Sequence, residues 1–324
     1  MKALYINGPG DDNLTFGDLP EPSLQEPTDV IVRVRATAMN RLDVFRQQGT
    51  HGVAPQSFPY IGGSEYAGEV AEVGPEATQF KVGDRVFGTA SYTFAQYARV
   101  GRPESGPHQR PPVHMPDGLS YEEAAAIPIS FSMAWHMLHC KGNLKSGEDV
   151  LVMAAGSGTG TAGIQMAKAA GARVITGSSS DDKLDKARAL GADEVLNYQQ
   201  APEFSKRVRE LTDGQGVGLV FESIGSPVWD QCFASIKKGG RLVICGVTGG
   251  HKASIHLGQL WMKEISIFGC INEPENDLED VVKLIEAGSI KGVIDSVLPL
   301  DSTEQAYDRM KERNFFGKVI LTVP

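Results

Sequence analysis

A glycine-rich turn is the part of the sequence whose residues most directly predict chemistry. Residues 149–155 read as a short apolar strand, and a helical pattern and a second apolar strand follow the turn. This order is that of a parallel βαβ unit, in which the helix N-terminus faces a ligand phosphate. The residues expected to contact the ligand are Ala155, Gly156, Ser157, Gly158, Thr159 and Gly160. The pattern predicts a dinucleotide site; the alternative is an ordinary strand-to-helix turn that binds nothing.

The glycine spacing of this turn is compatible with two registers. If the first motif position lies at the strand end, Ala155, Ser157 and Gly160 occupy the three glycine positions. A strict G-x-G-x-x-G occurs only at Gly158, Gly160 and Gly163, further into the helix. The flanking strand and helix patterns favour the nucleotide interpretation in either register.

The end of the second strand indicates which nucleotide is bound. An NAD site usually has an acidic residue there, about 20 residues past the glycines. Here Thr176-Gly-Ser-Ser-Ser180 is followed by Asp181, Asp182 and Lys183, so hydroxyl groups come first and a lysine follows. Small hydroxyls and a cation suit a 2′-phosphate and predict NADPH. The alternative is that Ser180 or Asp181 caps the next helix and Lys183 is solvated.

Length and composition limit the function classes. A chain of 324 residues suggests two domains, and 41% hydrophobic with 22% charged residues is typical of a globular protein. The net charge of −9 argues against nucleic-acid binding. No apolar run approaches the roughly 20 residues of a membrane span, and the N-terminus lacks a signal-peptide core. Four dispersed cysteines without a C-x-x-C pair predict reduced thiols in a cytoplasmic protein.

The hydrophobic pattern predicts an α/β fold with two kinds of domain. Residues up to about Pro116 are rich in strands and turns, and Ser120-Tyr-Glu-Glu123 predicts a capping box that begins a helix. After Lys145, six apolar strands alternate with helical patterns, which indicates a doubly wound parallel sheet.

Six motifs together make the chain resemble the medium-chain dehydrogenase/reductase superfamily along essentially its whole length. They are Gly63-Ser-Glu-Tyr-Ala-Gly-Glu-Val, Gly83-Asp-Arg-Val, the glycine-rich turn, Ala189-Leu-Gly-Ala-Asp, Gly239-Gly-Arg-Leu and Gly317-Lys-Val. The resemblance implies a GroES-like catalytic domain at residues 1–128 and 269–324, interrupted by a Rossmann domain at 129–268. It also implies that the final strand returns to the N-terminal domain and that the active-site cleft lies between the domains.

The resemblance further implies that zinc is absent. At the positions of the three catalytic zinc ligands of zinc alcohol dehydrogenases stand Asn40, Ser64 and Ile129. Catalytic zinc needs three N, S or O ligands from the protein, so no metal is predicted. Residues 88–118 contain no cysteine, which excludes the structural zinc lobe. The remaining candidates, His51, His108 and His114, lack metal-ligand spacing and read as surface or packing residues.

Asn40-x-x-Asp43, followed by Arg46 and Gly49, is similar to the zinc-free quinone oxidoreductase branch, which includes zeta-crystallin. This implies that Asn40 lines the nicotinamide pocket and that NADPH is bound by Ser179, Lys183, Tyr198 and Arg313. Tyr198 as a strand-edge residue and Arg313 as a solvated helix end remain alternatives. Met133 departs from the branch, which usually has a threonine there, and the Gly101–Pro112 loop is longer than usual.

A cleft without metal favours conjugated acceptors, since hydride addition then forms a delocalised anion that a few donors can stabilise. We therefore predict an NADPH-dependent, zinc-independent reductase of quinones or related α,β-unsaturated carbonyl compounds. Asn40 is the first candidate donor, and Ser64, Tyr66 and Tyr92 are weaker candidates that could equally be core or rim residues. The alternatives are a zinc-type alcohol dehydrogenase with atypical ligands and a non-catalytic NADPH-binding protein.

The resemblance also implies a homodimer. Ala253–Leu257 is a short β-prone run at the position that pairs across the dimer in this superfamily. Such pairing would satisfy the backbone groups of an otherwise open sheet edge.

Overall fold

The computed structural model describes residues 1–101, 109–271 and 277–324. His108 and most of the Gly101–Pro112 loop lie outside the described residues. The chain forms two compact units, the first made of residues 1–129 and 291–324 and the second of residues 130–290. Residues 269–271 and 277–290 thus group with the second unit, whereas the sequence assigned them to the catalytic domain.

The N-terminal part of the first unit consists mainly of strands. These are β1 Lys2–Ile6, β2 Leu14–Asp18, β3 Val30–Ala38, β4 Tyr60–Ile61, β5 Glu65–Val73, β6 Arg85–Thr89, β7 Tyr97–Val100 and β8 Val113–His114. The helical segments are a 3₁₀ turn Asp11–Asn13, α1 Arg41–Gln48 and α2 Tyr121–Ala125, and α3 Pro128–Trp135 then leads into the second unit. As predicted, Ser120 caps α2, because its Oγ accepts from the Glu123 N–H while the Glu123 carboxylate accepts from the Ser120 N–H.

The second unit alternates strands and helices, beginning with a π-helical turn, His136–Lys141. The strands are β9 Asp149–Met153, β10 Arg173–Ser178, β11 Glu194–Asn197, β12 Val217–Glu222, β13 Ile236–Ile244 and β14 Ser266–Gly269. The helices are α4 Gly158–Ala169, α5 Asp181–Ala189, α6 Phe204–Leu211, α7 Ser226–Ala234, α8 Leu257–Met262 and α9 Asp277–Glu286. The chain then returns to the first unit with β15 Ile294–Pro299, α10 Thr303–Glu312 and β16 Lys318–Thr322.

The sheet of the second unit is parallel, with the strand order β11-β10-β9-β12-β13-β14. This is the order of a dinucleotide-binding doubly wound sheet, and it confirms the predicted Rossmann domain. Every residue of β12 is buried, as expected for a strand covered on both faces. Ligands of such sheets bind outside the carboxyl ends of the strands where the order reverses, which is between β9 and β12 here.

The first unit has a three-stranded sheet, β2-β1-β4, and a larger sheet ordered β15-β16-β3-β5-β6-β8, with β7 also paired to β3. The final strand β16 runs antiparallel to β3, with Ile320 opposite Ala38. The predicted return of the chain end to the N-terminal domain is therefore confirmed, and it carries Lys318 into this sheet.

Within the described residues, every helix is too short or too polar to cross a lipid bilayer.

Candidate active site

The glycine-rich turn between β9 and α4 is shaped by close backbone packing. Ser157 is the N-cap of α4, and its Oγ accepts from the Gly160 N–H at 2.9 Å. The Gly158 and Thr159 N–H groups belong to the first helical turn, where helix geometry provides no acceptor. The turn therefore presents backbone donors at the carboxyl end of β9, which is what a pyrophosphate requires.

The structure distinguishes the two registers of the glycine motif. A Cβ atom on Gly160 would lie 2.1 Å from the Ala154 carbonyl oxygen, so only glycine fits there. Gly163 instead faces the Phe221 ring, where a Cβ would come within 3.1 Å. Gly160 is thus the glycine that the turn itself requires, which favours the register of Ala155, Ser157 and Gly160. Gly163 has a different role, because it lets helix α4 approach strand β12.

The proposed 2′-phosphate residues follow the ends of β10 and β11. Ser179 is exposed and Lys183 is half-buried on α5, while the Tyr198 N–H donates to the Ser178 carbonyl at 3.1 Å. Ser180 is the N-cap of α5, but its side chain makes no capping hydrogen bond. Asp181 accepts hydrogen bonds from Asn197 and Gln200, which lower the pKa of its carboxyl group. Asp181, the first acid after the end of β10, is therefore hydrogen-bonded to the end of β11 and to the segment that follows it.

Glu222 is a residue of the switch point that the sequence reasoning missed. It ends β12, is fully buried, and accepts from the Ile224 and Gly225 N–H groups at 2.6 and 2.9 Å. Burial raises the pKa of its carboxyl group to about 7, although these backbone hydrogen bonds act in the opposite direction. The sequence signal was an acidic residue directly after the apolar run Leu-Val-Phe221.

In the first unit, Asn40 lies in a cluster with two buried charged side chains, Glu65 and Lys318. Lys318 Nζ donates to Asn40 Oδ1 at 2.7 Å and contacts Glu65 Oε1 at 2.6 Å. Asn40 Nδ2 donates to the same Glu65 oxygen at 2.8 Å. These two partners fix the amide orientation, because a lysine can only donate and a carboxylate can only accept. The second Nδ2 hydrogen has only a long contact, 3.4 Å to the Ala38 carbonyl oxygen.

Asp43 holds the two segments of this cluster together. Its carboxylate accepts from the Asn40 N–H at 2.8 Å and from the Gly63 N–H at 3.1 Å. The side chain is buried, and burial raises the pKa of the carboxyl group. The Asn-x-x-Asp spacing therefore links the start of α1 to the segment that leads into β5.

The three positions matched to zinc ligands lie around Glu65. The Asn40 amide binds Glu65 Oε1, the Ile129 N–H donates to Glu65 Oε2 at 2.9 Å, and Ser64 is its chain neighbour. The Ser64 hydroxyl accepts from Arg46 at 3.3 Å. An amide, a hydroxyl and an alkyl side chain are not the donor set of a catalytic zinc, so these residues do not fit that metal.

The other catalytic candidates differ in position. Tyr92 is 51% exposed with a φ of 69°, its N–H donates to the Gly63 carbonyl, and its ring meets Tyr60 edge-on. Tyr66 instead packs in the apolar core of the unit, fully buried, and its hydroxyl has no partner among the described residues. Tyr66 follows Glu65 along β5, so the alternation of a strand turns its ring to the opposite face.

Arg313 belongs to the first unit, where it ends α10 in the left-handed conformation with a φ of 57°. Burial and the charge of Arg313 both lower the pKa of Arg41. Two guanidinium groups therefore lie close together here, an arrangement that favours an anion. Of the histidines considered as metal ligands, His51 stacks on Phe45 and His114 packs against Phe80.

Sequence reasoning selected Asn40 and Ser64 but missed Glu65 and Lys318. Lys318 was visible as the one charge in an otherwise apolar run, Lys-Val-Ile-Leu-Thr-Val323. A lysine at a buried strand position requires a partner, and Glu65 is the corresponding acid of the Gly63-Ser-Glu motif.

Two protein-family models match the chain. The alcohol dehydrogenase GroES-like domain matches residues 26–128, in the first unit, and the zinc-binding dehydrogenase family matches residues 158–287, in the second. Both matches agree with the observed folds of these two parts of the chain.

Individual proteins resemble the chain along nearly its whole length. Quinone oxidoreductase of Pseudomonas aeruginosa is 32% identical, with 96% of each chain covered. Acryloyl-coenzyme A reductase of Sulfurisphaera tokodaii is 29% identical, with 99% of each chain covered.

Among solved structures, an NAD-dependent alcohol dehydrogenase has 33% identity, a TM-score of 0.91 and full coverage of both chains. A mycobacterial protein in complex with NADPH has 27% identity and a TM-score of 0.86, with 99% of this chain and 100% of that chain covered. The chain belongs to the quinone oxidoreductase branch of the medium-chain dehydrogenase/reductase superfamily and is an oxidoreductase.

Proposed function

We propose that the protein is an NADPH-dependent, zinc-independent reductase of quinones or related α,β-unsaturated carbonyl compounds. The observation that carries the proposal is the cluster around Glu65. At the positions of the family's zinc ligands, this cluster has groups that donate hydrogen bonds instead of side chains that bind a metal. The quinone oxidoreductase and acryloyl-coenzyme A reductase relatives reduce acceptors of this conjugated kind, which supports the choice.

Asn40 is proposed as the donor to the acceptor oxygen. Lys318 binds its Oδ1 and Glu65 holds one Nδ2 hydrogen. The second Nδ2 hydrogen, whose contact with the Ala38 carbonyl oxygen is long at 3.4 Å, is left to donate to an acceptor. The charge of Lys318 polarises the amide and strengthens this remaining donor. Negative charge grows on the acceptor oxygen during hydride transfer, so the hydrogen bond would strengthen towards the transition state. Lys318 and Glu65 are then positioning residues that fix the orientation of the amide.

NADPH fits the second unit through its backbone and a few side chains. The first-turn N–H groups at Gly158 and Thr159 would hold the pyrophosphate, and Ser179, Lys183 and Tyr198 would hold the 2′-phosphate. The bound cofactor would supply the hydride. Arg313 of the first unit is proposed as a further contact to the 2′-phosphate, following the family pattern.

The acceptor class is tested with the purified protein and a panel of substrates. NADPH oxidation is measured with a benzoquinone, an alkenal and an enoyl thioester. The reverse-reaction control measures NADP⁺ reduction with a primary alcohol. We expect turnover of at least one conjugated acceptor and none of the alcohol, at a rate that a chelator leaves unchanged. Activity that is lost on chelation and restored by zinc would support the zinc-type alcohol dehydrogenase instead.

The cofactor preference is tested with Lys183→Ala, because Lys183 is the cation placed for the 2′-phosphate. The variant should raise the KM for NADPH far more than the KM for NADH. Lys186→Ala is the matched control, since Lys186 lies on the same helix and pairs with Asp182. Equal KM values for both cofactors in the unmodified protein would refute the preference.

A homodimer formed through the β14 edge of the parallel sheet is also proposed. Large apolar side chains are exposed beside this edge, namely Ile255, Leu257, Trp261, Met262 and Ile271. The Ala253–Leu257 run is exposed, and its residues before Leu257, which begins α8, lie outside helices and strands. Pairing there would use the backbone groups that are left beside the Ser254 carbonyl, which accepts from Trp229 Nε1. Trp261→Glu should convert a dimer into a monomer in sedimentation velocity. A monomeric unmodified protein at micromolar concentration would contradict the proposal.

A cytoplasmic location is proposed because the four cysteines are all free thiols. Mass spectrometry of the protein from its own cells should find them unpaired, and a disulfide would contradict this location.

A further inference from the structure

A cluster of side chains that could bind a metal ion lies in the second unit, outside the residues assigned to the reaction. His136, Cys140 and Asp277 each offer one ligand atom, and these atoms lie within 4.8 Å of one another. His136 and Cys140 belong to the π-helical turn His136–Lys141, and Asp277 begins α9. We propose that these three residues bind a single zinc-type divalent cation.

The distances within the cluster suit such an ion. His136 Nδ1 lies 3.2 Å from Asp277 Oδ2, and Cys140 Sγ lies 3.9 Å from Asp277 Oδ1. A tetrahedral zinc with bonds of about 2.0–2.3 Å places its ligand atoms roughly 3.3–3.8 Å apart. The ligand atoms lie within 4.8 Å of one another, so the widest pair must close by up to roughly 1 Å to reach coordination geometry.

The burial of the cluster also favours a bound ion. His136 and Asp277 are 9% and 5% exposed, and His136 Nδ1 and Asp277 Oδ2 are both buried atoms. The two atoms face each other at 3.2 Å as an ion pair, and neither has a hydrogen-bond partner beyond this contact among the described residues. An ion between them would replace this single mutual contact with a metal bond to each atom.

The local backbone explains why His136 and Cys140 face the same side. The Gly142 N–H donates to the Met137 carbonyl at 2.9 Å, an i→i+5 bond that marks the widened π turn. Residues four apart on a helix already share a face, so the imidazole and the thiol both approach Asp277. His139 is on the same turn but contacts the Trp135 ring instead.

The charges also match a divalent cation. A thiolate, a carboxylate and a neutral imidazole carry two negative charges, which balance the ion in this half-buried place. Cys140 is exposed, so the ion can enter from its side and keep an open coordination position there. The donor set of nitrogen, sulfur and oxygen suits zinc or cobalt, and three ligands predict an exchangeable ion rather than a permanent one.

The expected consequence is stabilisation of the contact between the π turn and the start of α9. An ion that binds only the folded state raises its stability in proportion to the logarithm of ion concentration over Kd. The proposed ion takes no part in the proposed reaction. The enzyme without the ion should therefore retain its turnover.

The test uses the full chain after removal of metal with a chelator. Zinc is titrated in competition with a chromophoric zinc indicator, and we expect one zinc per chain with a micromolar Kd. His136→Asn, Cys140→Ala and Asp277→Asn should each weaken binding at least tenfold. The matched controls His139→Asn, Cys232→Ser and Glu279→Gln should bind zinc like the unmodified protein, and circular dichroism identifies any variant that fails to fold.

Cobalt provides a readout that reports the thiolate directly. The unmodified protein with cobalt should show a thiolate-to-cobalt charge-transfer absorption, which Cys140→Ala abolishes and Cys232→Ser retains. Zinc should raise Tm by several degrees in the unmodified protein but not in the three site variants. The proposal is overturned if the folded protein binds no zinc at a hundredfold excess, or if binding is equal in site and control variants.

Discussion

Glu65 and Glu222 are both fully buried carboxylates, one in each unit, yet the fold accommodates them in different ways. Glu65 has a buried cation as its partner, Lys318, together with the Asn40 amide and the Ile129 N–H. Glu222 accepts hydrogen bonds from backbone N–H groups, and its pKa is raised to about 7. A buried acid is thus stabilised either by an opposite charge or by a proton, and the two solutions respond differently to mutation and to pH.

The largest expected effect comes from removing the cation beside Glu65. Lys318→Met leaves a buried carboxylate without its partner, which should lower the free energy of unfolding by roughly 3–5 kcal/mol. The measurement is equilibrium denaturation in urea. Adding Glu65→Leu to this variant should recover much of the loss, because the unpaired charge is then gone.

Lys168→Met is the control for this prediction. Lys168 pairs with Asp193, but the two side chains are 34% and 36% exposed, so the loss should stay within about 1 kcal/mol. Equal losses from Lys318→Met and Lys168→Met would show that the Glu65 ion pair does not differ from a surface pair.

The next effect concerns the pH dependence caused by Glu222. With a pKa of about 7 in the folded protein and 4.5 as its ordinary value, the folded state holds the proton more tightly than the unfolded state. Its contribution is therefore fully present below about pH 4.5, declines as the pH rises, and is lost above about pH 7. The total decline would be on the order of 3 kcal/mol.

Glu222→Gln should flatten this part of the stability curve, measured by denaturation at a series of pH values. The exposed Glu72→Gln variant is the control and should keep the slope of the unmodified protein. If Glu222→Gln kept that slope as well, another group would have to be responsible.

A smaller effect, on cofactor affinity, is expected from a substitution in the glycine-rich turn between β9 and α4. Gly160→Ala places a Cβ against the Ala154 carbonyl and displaces the first turn of α4. Such overpacking typically costs about 1–3 kcal/mol. If this cost falls on the cofactor-binding form of the turn, the Kd for NADPH should rise roughly 5- to 150-fold, measured by fluorescence titration.

Gly269→Ala is the control for Gly160→Ala, since a Cβ there meets no atom within 4 Å. Unchanged NADPH binding in Gly160→Ala would remove the turn from the cofactor site.

The smallest expected effect is that of Asn40→Ala on turnover. Loss of a single oxyanion donor costs roughly 2.7–4 kcal/mol in favourable sites, and we expect less because a quinone spreads its charge. We therefore expect kcat to decrease roughly tenfold, which corresponds to about 1.4 kcal/mol. The rate is measured per folded molecule with a quinone that the protein reduces, and the exposed Asn7→Ala serves as control. Lower stability with an unchanged rate would mean that Asn40 only braces the Glu65 cluster.

The backbone-built parts of the protein were predictable from the sequence alone. The glycine-rich turn, the parallel sheet of the second unit and the capping box at Ser120 all depend on local patterns within a few residues. Steric limits at Gly160 and hydrophobic periodicity determine these features directly, so the dinucleotide-binding fold followed without tertiary information.

The site around Asn40 was only partly predictable. The Asn-x-x-Asp spacing identified Asn40, but its partner Lys318 is 278 positions away and meets Glu65 across 253 positions. Only the antiparallel pairing of β16 with β3 brings that lysine to the start of α1. Strand alternation places Glu65 and Tyr66 on opposite faces of β5. Only the packing of β5 showed that Tyr66 is the one that faces the apolar core. Local sequence therefore determined which turn presents backbone N–H donors at the end of β9. Long-range pairing decided which side chains surround Asn40, because buried charges find their partners only in the folded chain.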